Sequence, residues 1–248
     1  MNKHYLAIAF CAMATGTFAS ENTEINHSPV SAENLNYGDP TASFSTLGVS
    51  RSGDATQING MLGLGDNIFQ LDLGLADKNT KDDKLDYNYR GRYFHVTDGL
   101  GFSVDVLGDR ASTTALAGMI YKFQVTDNIL LFPMLSVGRT AVDVEEPLPP
   151  GIGINGQPTE RVLKHKLDST VYQAGLYGMY AFDAGHWLYA NPRSTYVQQA
   201  KEWVAQVEVG GGYMVSDSVS VGFKVEHTAE SDISRKDTTG WVQANYYF

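Results

Sequence analysis

Thr238-Thr-Gly-Trp-Val-Gln-Ala-Asn-Tyr-Tyr-Phe248 is the stretch on which the reading of this chain turns. Side chains alternate across an extended strand with period two. Val242, Ala244, Tyr246 and Phe248 therefore share one face, and Trp241, Gln243, Asn245 and Tyr247 share the other. One face is apolar and the other mixed. A strand built this way needs a partner on each edge, so the rest of the chain has to supply a sheet.

It does so from Thr41 onward. Extended segments are expected at roughly 41–51, 55–65, 68–76, 84–97, 100–109, 113–125, 129–143, 165–182, 186–199, 202–215, 218–228 and 237–248. Phe69, Leu71, Leu73 and Leu75 alternate with Gln70, Asp72 and Gly74. Val219, Val221, Phe223 and Val225 alternate with Ser220, Gly222, Lys224 and Glu226. The segments 41–51 and 129–143 give no clear facing. Every second connection is tight: Asp66-Asn67, Asp98-Gly99, Thr126-Asp127-Asn128, Asp183-Ala184-Gly185 and Ser216-Asp217-Ser218. These are turn compositions. The connections between them are mostly longer and more polar, at Asp77–Asp83, Val144–Lys164 and Ala229–Lys236. Aromatics gather beside the tight turns: Phe69, Phe102, Tyr121, Phe123, Phe132, Phe182, Trp187, Tyr213, Tyr246 and Phe248.

A terminal strand ending in Phe, loops sorted by length and an aromatic girdle together resemble the outer-membrane β-barrels of Gram-negative bacteria. The expectation is an all-β fold: one transmembrane antiparallel up-and-down barrel over 41–248, with about twelve strands and ten or eight as the other even counts. The resemblance implies that Val242, Ala244, Tyr246 and Phe248 form a C-terminal assembly signal. It also implies contact with outer-membrane lipid, lipopolysaccharide and the barrel-assembly machinery. With tight turns inside, both ends of the barrel fall in the periplasm.

The beginning of the chain agrees. Lys3, the apolar run Tyr5–Ala14 and the small-x-small pattern at Thr17-Phe18-Ala19 read as a signal peptide over 1–19. Residues 20–40 read as a flexible periplasmic extension that could also tuck into the lumen. Mean hydropathy is −0.22, which rules out a helical membrane protein. Cys11, the one cysteine, lies in the leader, so the exported chain has no thiol for a disulfide or a metal site. Formal net charge is −10, and −11 without Lys3, which argues against nucleic acid as a partner.

Ten charges are expected on the inward face: Asp72, Asp86, Arg90, Arg92, Asp105, Lys122, Arg193, Glu208, Lys224 and Glu226. Unpaired charges in a confined lumen are costly, so they should pair. A two-residue turn at Asp98-Gly99 sets Arg92 opposite Asp105. A similar turn at 200–201 sets Arg193 opposite Glu208, and a three-residue turn at 216–218 sets Glu208 opposite Glu226. Such a network either braces and fills the lumen or lines a narrow, weakly selective path for ions or small solutes. A ring of this size lies between filled and open barrels. The segment 144–164 holds Pro147, Pro149, Pro150 and Pro158, a composition that speaks against a regular element; it is a surface loop or a constriction at the mouth.

Chemistry finds little support. No serine accompanies His95 or His227 on its strand face. His165, Glu160 and Glu145-Glu146 belong to outside loops, and Glu208 with Glu226 has no sugar cleft. No cofactor, metal site or catalytic residue is expected. Gly210-Gly211-Gly212 suits close packing or wall curvature.

Overall fold

The hydrophobic alternation resolves into a closed ring. The computed structural model describes residues 36–77, 85–97, 99–152 and 158–248. The signal-peptide reading and most of the extension lie outside them. Strands run in chain order as β1 (Thr46–Arg51), β2 (Ala55–Leu64), β3 (Asn67–Ala76), β4 (Tyr87–Val96), β5 (Leu100–Asp109) and β6 (Ser112–Tyr121). They continue with β7 (Phe123–Gln124), β8 (Ile129–Ile152), β9 (Pro158–Ala181), β10 (Trp187–Val197), β11 (Glu202–Ser216), β12 (Val219–Thr228) and β13 (Asp237–Tyr247). The two-residue β7 prolongs β6 past a break at Lys122, so the thirteen strands form twelve staves. All pairings are antiparallel between neighbours in sequence, and β1 closes the ring on β13. Closure leaves no unpaired edge within the ring itself.

The facing follows the alternation. On β12, Val221 and Phe223 pair with Ala244 and Val242 of β13, all directed outward. Leu71, Leu73, Phe102, Val104, Val209 and Val225 are likewise exposed on the outer wall. An apolar belt on every stave far exceeds what a water-soluble monomer tolerates, so this wall is a lipid-facing one. Most of the expected girdle stands on it, but Phe132 and Trp187 do not. Both are buried inside the ring. Trp187 fits because Gly212, its partner on β11, has no side chain; a Cβ there would collide with the indole. Gly210 makes the same room for Tyr189. The glycine run thus serves close packing within the lumen.

Three expected boundaries shift. Residues 41–44 do not extend β1, and Ala42 and Phe44 pack into the ring's interior; Ser45 still bridges to the wall, its carbonyl accepting from the Phe248 N–H. Strand β1 is left at six residues. The segment 144–164 is not a loop across the mouth: β8 and β9 continue through it as a paired ribbon to Ile152 and Pro158. Neighbouring staves stop pairing at Val142 and Val171, so the ribbon beyond them has no lateral partner. There its outer edges are free, and a free edge tolerates proline, which cannot donate a ladder hydrogen bond. The β10–β11 connection spans 198–201, longer than the two residues expected, with Lys201 in the left-handed region at φ 57°.

Candidate functional site: the lumen

Three layers fill the ring from the tight-turn end to the long-loop end. The first is apolar. Met61, Ile68, Phe94, Ile120, Phe132, Tyr177 and Trp187 point inward from the staves. The segment Asn36–Phe44 fills the space they leave. Tyr37 stacks on Tyr247 with ring centroids 4.0 Å apart and meets Phe44 edge-on at 4.8 Å. Gly38 lies against the indole of Trp187, where a Cβ would not fit. The Tyr177 hydroxyl donates to the Gly38 carbonyl at 2.8 Å. The buried Asp39 forms an ion pair with Lys122, and its other oxygen accepts from Thr41. Tyr37 also donates to the Asp217 carbonyl of the β11–β12 turn. Burial first, and the Asp217 carboxylate second, hold its phenol above the ordinary tyrosine value, so it stays neutral.

The second layer is charged. Asp105 sits between two arginines: Arg90 makes a bidentate contact, Nε to Oδ1 at 3.0 Å and Nη2 to Oδ2 at 2.8 Å. Arg92, its register partner, adds Nε to Oδ2 at 2.8 Å and lies over the Phe94 ring. Asn59 donates to Asp72 at 2.9 Å while accepting from Ser50 at 2.7 Å. Lys224 is fully buried, 2.8 Å from Glu226 Oε1 and over the Trp241 ring. That pair is an ion pair by distance, though its angles fall outside hydrogen-bond geometry. Trp241 donates its indole N–H to Glu226 Oε2 at 2.8 Å. Glu208 lies opposite Glu226 in the register, with Lys224 beside them.

The pairing of Arg193 differs from expectation. The longer 198–201 connection sets Arg193 opposite Gln206, which accepts from its Nε at 3.1 Å, and sets Asn191 opposite Glu208. Asp86 leaves the set altogether: it is exposed, ahead of β4 at the long-loop end. Lys122 belongs to the first layer, at the break in its stave. The central layer therefore carries Arg90, Arg92, Arg193 and Lys224 against Asp72, Asp105, Glu208 and Glu226, four of each sign. Among the described residues, Glu208 Oε2 and Asn191 Oδ1 are buried without a hydrogen-bond partner. Both residues line a cavity of about 30 Å³ beneath Pro40, alongside Arg90, Arg92 and Arg193. That volume is about one water's share of the liquid.

The third layer is apolar again. Leu107, Leu116, Val142, Val171, Val197 and Val204 converge at the long-loop end, and Ile233 reaches them from the β12–β13 connection. Both stopping layers thus include residues from outside the wall. Sequence reading missed Tyr37, Asp39, Phe44 and Ile233; the one signal was aromatic and apolar residues set within otherwise polar stretches. His95 and His227 make hydrogen bonds to Asn67 and Thr238.

No family profile and no curated protein sequence matches the chain. Solved structures do. The COG4313 outer membrane channel from Pseudomonas putida aligns over 90% of this chain and 100% of its own, at 11% identity and a TM-score of 0.52. The NanC porin aligns over 82% and 100%, at 8% identity and 0.51. The KdgM porin aligns over 82% and 98%, at 9% identity and 0.50. At these identities the likeness is one of fold. The chain is an outer-membrane-type β-barrel of twelve staves, with the porin-like architecture of those small channels.

Proposed function

We propose that the protein is a porin-like channel of the Gram-negative outer membrane, closed in the conformation described. Its tight turns and both chain ends lie on the periplasmic side, with the longer loops outside. Lipid and lipopolysaccharide surround it, and the barrel-assembly machinery reads its last strand. One observation carries the reading: the stopper at the tight-turn end, Asn36–Phe44, is not part of the wall. It is held by an ion pair, a tyrosine stack and two hydrogen bonds to backbone carbonyls, Tyr177 to Gly38 and Tyr37 to Asp217. Each of these can break without disturbing a stave. The layer behind it is polar and carries equal charge of both signs, which suits weakly selective passage of ions or small solutes. When Asp39 withdraws, Lys122 loses its counter-charge and tips the path toward anions.

A second reading is a permanently closed barrel, favoured by the double salt bridge at Asp105 and by the apolar layer under Ile233. Solute flux into liposomes separates the two. Asp39→Asn removes the ion pair and leaves the wall intact. A channel predicts faster chloride uptake for this variant than for the native protein. Equal, background-level uptake in both supports the closed barrel.

A further inference from the structure

The outer wall carries a feature that the lumen does not explain. Across five neighbouring staves the register aligns Ala117, Val137, Tyr172, Tyr196 and Trp203 in one lateral row. Tyr196 and Trp203 touch, with ring centroids 5.1 Å apart. Met119, Leu135, Tyr172 and Trp203 stand around the small Ala117 and Ala174, enclosing an almost wholly apolar groove of about 550 Å³. That volume falls within the ~300–1,000 Å³ range of small-molecule clefts.

One outward position beyond Val137 on β8 is Arg139, exposed, with Ala115 and Thr170 as its lateral neighbours. Among the described residues it has no ion-pair partner. The contrast is Arg51, also exposed at the long-loop end, which is paired with Asp77. Asp168 is the nearest outward carboxylate along β9. It lies one row farther from the groove, opposite Ala141, so a group held over the groove meets Arg139 first.

The level of Arg139 can be read from the neighbouring stave. Tyr180, which packs on the girdle residue Phe182 at the tight-turn end, lies ten residues along β9 from Thr170, the register partner of Arg139. Ten residues span about 33 Å along a strand. At the usual barrel tilt that is about 25 Å of height, the thickness of the apolar band. Arg139 therefore stands where lipid headgroups begin, directly above an apolar groove bordered by interfacial aromatics.

We infer that this groove seats an acyl chain of an anionic, phosphate-bearing lipid of the surrounding bilayer, whose headgroup Arg139 holds. The charge complements the phosphate, and the arginine fork suits it geometrically. The groove supplies what a bare arginine lacks, a place for the chain that follows the phosphate.

Tryptophan emission gives a direct test. Of the three tryptophans, Trp187 and Trp241 are inside the ring, while Trp203 is 56% exposed on the outer wall. The full protein is folded into phosphatidylcholine vesicles containing a small fraction of lipid with brominated chains. Brominated phosphatidylglycerol should enrich about fivefold at Trp203 over brominated phosphatidylcholine, the factor for one basic side chain near an anionic headgroup. Arg139→Gln should abolish that preference, Arg139→Lys should keep most of it, and Trp203→Phe should remove the quenchable signal. Heat-modifiable migration confirms that each variant is folded. Equal quenching by both lipids in the native protein overturns the inference. Quenching by neither, with cross-linked dimers or trimers present, also overturns it and assigns the groove to a second copy of the chain.

Discussion

Asp105 concentrates the energetics of the lumen in one carboxylate. It compensates Arg90 and Arg92 at once, all three being largely withdrawn from solvent. Asp105→Ala leaves two guanidiniums without a counter-charge and should cost about 3–5 kcal/mol in folding free energy. Urea titration of the lipid-embedded barrel measures this. Adding Arg92→Met to Asp105→Ala should recover part of the loss. A penalty of about 1 kcal/mol or less would mean that water screens the cluster. Half of this arrangement was legible in the sequence. The turn between Thr97 and Leu100 fixes the register: the Thr97 N–H donates to the Leu100 carbonyl, and Gly99 takes the positive φ of 84° that such a turn requires. Arg92 falls opposite Asp105 by counting alone. Arg90 was placed on the right face, but its reach along the strand to Asp105 depends on side-chain length, which register does not encode. The Arg193–Glu208 pairing failed for a different reason. Lys201 adopts a left-handed backbone conformation that its residue type does not announce, and the longer connection moved the register by two.

At the scale of elements, the stopper depends on β13. Strand β13 closes the ring through β1, with Leu47 opposite Tyr246 and Thr46 opposite Tyr247. Its inward Tyr247 carries Tyr37 of the stopper, and its outward Tyr246 and Phe248 face lipid. Truncation of Tyr246–Phe248 should therefore prevent closure, because an open edge in lipid leaves backbone groups unsatisfied. The readout is gel migration with and without boiling. A truncated chain that still migrates as a compact species before boiling contradicts the account. The terminal strand was legible because its alternation is strict and its faces differ. The stopper was read only as one of two placements for residues 20–40, because its polar composition and Pro40 are those of any linker; docking depends on cavities formed by distant staves. The β8–β9 ribbon was misread for the converse reason. Proline disfavours a sheet interior, but beyond Val142 and Val171 the strands have free edges.

The whole molecule follows from two periodicities, alternation within strands and alternation of connection length between them. Twelve staves put both ends of the barrel wall at the tight-turn end. In intact cells, added protease should reach the ribbon tip and the 229–236 connection, and spare Asp183-Ala184-Gly185. Cleavage at that turn from outside contradicts the orientation. What twelve staves do not determine is whether the ring is open, since its bore depends on the side chains and segments that enter it. In this barrel the lumen is stopped by chain from outside the wall at both ends, around a balanced layer of charge.

On the channel reading, the segment Asn36–Phe44 closes an otherwise conducting ring. Single-channel recording in planar bilayers compares the native protein with one lacking residues 36–43. Rare, brief openings are expected for the native protein and a steady chloride-preferring conductance for the deletion. A folded deletion variant as silent as the native barrel would contradict it.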